Sequence, residues 1–90
     1  MATRPYLRQD MHMARVREFF ETKYAARPHP TEVECGYQKV LTPNGVLLQL
    51  STYGSDSRAS EKKVSQTIQL DRDGAAQLLK IILDTFPGLK

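Results

Sequence analysis

Apolar positions recur along this chain with two different periods, and the change of period divides it into three segments. Between Leu7 and Tyr24, the residues Met13, Val16, Phe20 and Tyr24 recur at helical spacing with Phe19 beside them, which predicts an amphipathic helix. Arg17 and Glu21 add an i,i+4 ion pair on that helix. The helix ends at Arg27-Pro28-His29-Pro30, because each proline lacks a donor and drives its predecessor into extended backbone.

From Thr31 the period becomes two. Thr31 to Leu41 reads as a strand with Val33, Cys35, Tyr37 and Leu41 on one face and Glu32, Glu34 and Gln38 on the other. Lys39 interrupts the apolar face, and Gly36 marks a bulge or the close approach of another backbone. Asn44-Gly45, within Thr42-Pro43-Asn44-Gly45, signals a hairpin because both residues tolerate positive φ. The next strand, Val46 to Tyr53, turns Val46, Leu48 and Leu50 inward and Leu47, Gln49, Ser51 and Tyr53 outward. After a polar loop, the third strand sets Val64, Gln66, Ile68 and Leu70 against Ser65, Thr67 and Gln69.

Asp71 then offers an N-cap and Asp73 a first-turn carboxylate, while Gly74 weakens the start of the helix. Ala75, Leu78, Leu79, Ile82 and Phe86 form its apolar stripe, widened by Ala76, Ile81 and Leu83, and Pro87-Gly88 stops it. The expected fold is a single α+β domain over residues 1–90, ordered α-β-β-β-α. Its three- to four-stranded antiparallel meander sheet has the N-terminal and C-terminal helices packed on it. Any fourth short strand would come from part of the 58–63 loop. Residues 1–30 hold the first helix and a proline-rich linker, 31–70 the sheet and 71–90 the last helix.

Ninety residues bury a smaller fraction of their surface than a larger domain does, leaving little room for a deep substrate pocket. The net charge of +3 is a mild lean toward anions, but its distribution is uneven. Met1 to Pro30 and Arg58 to Leu70 are both positive, whereas Thr31 to Ser57 is negative. Cys35 is the only cysteine, so no internal disulfide forms, which fits a reducing compartment. Without an apolar run of membrane-spanning length or a signal-peptide pattern, the expectation is a cytoplasmic protein, or one in a nucleoid or nuclear compartment.

Candidate chemistry lies mainly in the loop 55–63, where Ser55, Arg58, Lys62 and Lys63 combine hydroxyls with cations behind Gly54. The neighbouring strand face adds Gln49, Tyr53, Ser65, Thr67 and Gln69. An aromatic platform within a cationic groove is the usual way to hold single-stranded nucleic acid. The plainer reading of the loop is a solvated connection. Arg4, Arg8, His12 and Arg15 form a secondary basic face on the first helix, more often simply the wet side of such a helix. Cys35 alternates with Val33 and Tyr37 and reads as a small buried hydrophobe rather than a nucleophile. His12, His29 and Cys35 lack metal-ligand spacing. Glu32 and Glu34 have no following carboxylate-X-Lys element of a nuclease. Neither an enzyme nor a cofactor is expected.

The order of elements resembles the positive cofactor four family of transcriptional coactivators and its bacterial relatives. The resemblance rests on the long strand Val46-Leu47-Leu48-Gln49-Leu50-Ser51-Thr52-Tyr53 after a tight turn and on the basic polar loop. It continues with Lys63-Val64-Ser65-Gln66-Thr67-Ile68-Gln69-Leu70 running into a capped helix. It covers Glu34 to Leu83 and implies a curved antiparallel sheet, dimerisation through the terminal helix and binding of single-stranded DNA or melted duplex. Carried over by position, Tyr53, Arg58, Lys62 and Lys63 would lie in the binding region, and Leu79, Ile82 and Phe86 at the dimer contact. This chain departs from that pattern in having no Trp and fewer loop cations. The last helix carries more apolar surface than one sheet face covers, so a homodimer contact through Leu79, Ile81, Ile82, Leu83 and Phe86 is expected. The leading expectation is a non-enzymatic module for single-stranded DNA or RNA with little sequence preference. The competing one is a protein-interaction adaptor or dimerisation subunit using the last helix and a sheet edge, with a larger protein complex as its setting.

Overall fold

Pro43 and Asn44 turn the chain at the hairpin from which the sheet grows. The computed structural model describes residues 13–54 and 63–89. In it, strand β2 (Cys35–Thr42) meets β3 (Gly45–Tyr53) with Thr42 opposite Gly45. Pro43 presets a negative φ and Asn44 shares it, so only Gly45, at φ 134°, takes the positive value expected of both Asn44 and Gly45. Thr42 locks the turn: its Oγ1 donates to the Gly45 carbonyl at 2.7 Å and accepts from Asn44 N at 3.2 Å.

β4 (Val64–Leu70) pairs antiparallel with β3, completing the expected meander, and the helix α1 (Arg72–Thr85) follows at once. β1 (Met13–Arg15) is the fourth strand, and it corrects two expectations. It pairs in parallel with β4, giving a mixed sheet of order β1-β4-β3-β2 rather than an antiparallel one. It also occupies the segment expected to be helical: among the described residues, 13–34 contain no helix. Residues 58–62, the expected source of a fourth strand, lie outside the described residues.

The physical reason is a weak helical preference overruled by a distant partner. Val16, Phe19, Phe20, Thr22 and Tyr24 are β-branched or aromatic and only middling helix formers. The outer edge of β4 supplies backbone partners, with Val16 N donating to the Gln69 carbonyl at 2.9 Å. Edge pairing outweighs a narrow apolar stripe. The part of the expected helix before Met13 lies outside the described residues.

The two faces of the sheet follow from its pairings. Leu48 opposite Leu70 and Leu50 opposite Ile68 share one face with Val46, Tyr37 and Leu41. Leu47, Gln49 and Ser51 share the other with Val40, Gln38, Gly36, Thr67 and Gln69. Burial does not follow the expected inward and outward assignment. On the apolar face Leu70 is 1% exposed, but Leu48 and Leu50 are half-buried and Val46 and Ile68 are exposed. On the other face Leu47, Ser51 and Thr67 are buried. Helix α1 touches β3 and β4 and does not reach β2. Tyr37, 80% exposed, and Leu41 therefore stand clear on β2. Cys35, expected to be buried, is exposed at the start of the same edge strand.

Asp71 caps α1 as expected, its Oδ1 accepting from Gly74 N at 2.8 Å. Gly74 is buried against Leu70 and the Val16 carbonyl, so the expected weak point is where the helix joins the sheet. Asp71→Ala should cost about 1 kcal/mol and lower the melting temperature by roughly 4–8 °C. Asp71→Ser should restore most of that loss, and thermal denaturation followed by circular dichroism reads both. Among the described residues no helix is long and apolar enough to cross a membrane.

Candidate nucleic-acid interface

The pairings bring four polar side chains into one row across the whole sheet. Arg15 on β1 stands opposite Gln69 on β4, Gln69 opposite Gln49 on β3, and Gln49 opposite Gln38 on β2. Three inter-strand steps make this row about 14 Å long. Gln69 Nε2 donates to Gln49 Oε1 at 2.9 Å, which orients both amides in its middle. Arg15 and Gln38, at its ends, are exposed. No spacing rule relates residue 15 to residue 69, so only the tertiary pairing assembles this row. Its sequence signal was limited to polar residues alternating within each strand.

The adjacent row is closed by its own bonds. Ser51 and Thr67 hydroxyls meet at 2.9 Å, and Thr67 is 4% exposed. Thr67 was a candidate contact residue, and its hydroxyl instead joins β3 to β4 within the protein. Ser65 remains exposed, and a pairing irregularity passes through it. Thr52 pairs with Gln66 but Tyr53 pairs with Val64, leaving Ser65 as the extra residue of a bulge. The bulge shifts Val64 out of the alternation that the strand pattern gives it.

Tyr53 ends β3 beside the loop. A Cβ on Gly36 would lie 3.2 Å from Tyr53 Cε1, so the close approach at this glycine comes from an aromatic ring rather than a backbone. Tyr53 is half-buried against it. Two backbone bonds fix the loop base: Tyr53 N donates to the Glu34 carbonyl and Gly54 N to the Lys63 carbonyl, each at 3.0 Å. Lys63 is exposed at that base. Ser55, Arg58 and Lys62 lie outside the described residues, as do Arg4, Arg8 and His12.

The structure therefore brings Gln49, Tyr53, Lys63 and Arg15 onto or beside one sheet, with Ser65 at its bulge. Of the residues expected at a dimer contact, Leu79, Ile81, Leu83 and Phe86 are exposed and Ile82 is half-buried. Among the described residues no cluster of His, Cys, Asp and Glu could hold a metal ion. Comparison with protein-family models, curated proteins and solved structures finds no match to this chain. Missed by the sequence reading was Gln38 in the polar row, whereas Gln69 was named with Gln49. Also missed were Phe20 and Tyr24, assigned to a buried helix stripe and in fact exposed.

Proposed function

We propose that this chain is a small, non-enzymatic nucleic-acid-binding module that favours single strands, reads little sequence and works as a homodimer. The observation that carries the proposal is the polar row from Arg15 to Gln38 on the sheet face that also bears Tyr53, beside the base of the basic loop. The exposed Arg15 and Gln38 at the ends of the row supply donors for phosphate and sugar, and the half-buried Gln49–Gln69 pair fixes its middle. The half-buried ring of Tyr53 supplies an apolar surface for a base, and Arg58, Lys62 and Lys63 supply charge. Nothing in this set selects one base over another, hence the low sequence preference.

The test is fluorescence anisotropy with a labelled oligothymidylate across a salt series. Affinity should fall steeply, with log K declining by about 0.7 per phosphate contact for each tenfold rise in salt. Absent or salt-independent binding defeats the reading.

The exposed apolar residues of α1 support a second reading, a protein-interaction adaptor. The two part on one measurement: an adaptor keeps Leu79, Ile81, Leu83 and Phe86 for a different protein and has no salt-sensitive affinity for oligonucleotides. The homodimer covers the same surface with a second copy.

A further inference from the structure

The segment that joins β1 to β2 has a job that neither the sheet nor the loop explains. β1 and β2 run in the same direction, since β1 is parallel to β4 and β2 is related to β4 through two antiparallel pairings. They occupy opposite edges of the sheet. The chain after Arg15 must therefore return from the Leu70 end of the sheet to the Tyr53 end while crossing from one edge to the other. It does so without helix or strand over residues 16–34, an uncommon length for an irregular connection in a small domain and usually a functional one.

This strap is tied at both ends. Val16 N bonds to the Gln69 carbonyl at 2.9 Å and Phe19 N to Gln77 Oε1 of α1 at 2.9 Å. At the far end the Glu34 carbonyl accepts from Tyr53 N. Between the ties its side chains face solvent. Phe19 is half-buried, but Phe20 is 78% and Tyr24 86% exposed. A strap serving only to cover the core would have buried both. Cations interleave with these rings: Arg15, Arg17, Lys23 and Arg27 are all exposed, against Glu18 and Glu21.

We infer that residues 15–27 form a second track for single-stranded nucleic acid. Phe20 and Tyr24 stack on bases, Arg15, Arg17, Lys23 and Arg27 meet phosphates, and the strap leads toward Tyr53 and the basic loop. The inference rests on the nucleic-acid reading and gives it a surface on which to extend. Charge decides for nucleic acid over protein. The centre of a protein interface is depleted of charged residues, whereas here each exposed ring has a cation within three positions along the chain. Rings interleaved with cations are the chemistry that single strands require.

The full chain is titrated with labelled oligothymidylate as wild type, as Phe20→Ala/Tyr24→Ala and as Tyr24→Phe. Each stacked base is a substantial part of affinity, so the double variant should bind about 30-fold or more weakly. Its salt slope should be unchanged, because stacking releases no counterions. Its melting temperature and sedimentation should match wild type, since both rings are exposed. Tyr24→Phe should keep wild-type affinity. The chain contains no Trp and four Tyr, so tyrosine emission is observable: oligonucleotide should quench it, and quench it less in Tyr24→Phe. Wild-type affinity in the double variant overturns the inference and leaves the module reading intact. Loss of binding together with altered sedimentation also overturns it, assigning the rings to a protein contact. A wild-type chain that does not bind at any salt defeats both.

Discussion

Reversing the charge of Arg58, Lys62 and Lys63 together should remove most of the affinity for single-stranded DNA at moderate salt. If each cation meets one phosphate, three contacts contribute a slope of about 2 in log K against log salt. At 0.1 M salt the same counterion release corresponds to roughly 100-fold in affinity, and reversal adds repulsion to that loss. The loop joins β3 to β4 between Gly54 and Lys63, whose backbone groups close its base at 3.0 Å. Unfolding should therefore be little affected, and the loss should appear in anisotropy without a change in melting temperature. A triple variant that binds like wild type would show that the loop is only a solvated connection.

Ile81→Glu should convert a dimer into a folded monomer. Ile81 is exposed on α1 near Leu79 and Leu83, and the helix does not reach β2, where Tyr37 and Leu41 also stand clear. Exposed apolar residues grouped in this way mark a candidate interaction surface. A twofold contact uses the same patch on both subunits, so one substitution introduces two carboxylates into it. Burying them unpaired costs several kcal/mol, enough to weaken association by at least about 100-fold. The fold should survive, because the cap at Asp71 and the contact of Gly74 with Leu70 lie at the other end of the helix. Sedimentation velocity at high micromolar concentration reads the outcome, and oligonucleotide binding should weaken with it. A wild-type chain that sediments as a monomer under those conditions removes the homodimer from the proposal.

Much of the candidate site was legible only as a list of residue types. Gln49, Tyr53 and Lys63 could be chosen because alternation and loop composition are local properties. Thr67 could not be told from Ser65 in this way: both are hydroxyl residues two positions apart on one strand. A cross-strand partner at 2.9 Å buries Thr67, and a bulge leaves Ser65 outside. Arg15 was chosen as part of a helical stripe, and the structure places it beside Gln69 on a strand.

The sequence by itself determined the part of the fold that depends on neighbours within a few residues. The turn at Pro43-Asn44-Gly45, the alternation through β3 and β4, the cap at Asp71 and the helix after it are all set by local backbone preference and short side-chain bonds. The tertiary structure alone decided the fate of residues 13–34. Their spacing satisfies a helix, but the free edge of β4, more than fifty positions away, offers backbone partners that Met13, Ala14, Arg15 and Val16 take instead. It also decided which face is buried. Alternation states only that two faces differ, and in the fold Leu47, Ser51 and Thr67 of the more polar face are buried while Val46 and Ile68 of the more apolar one are exposed.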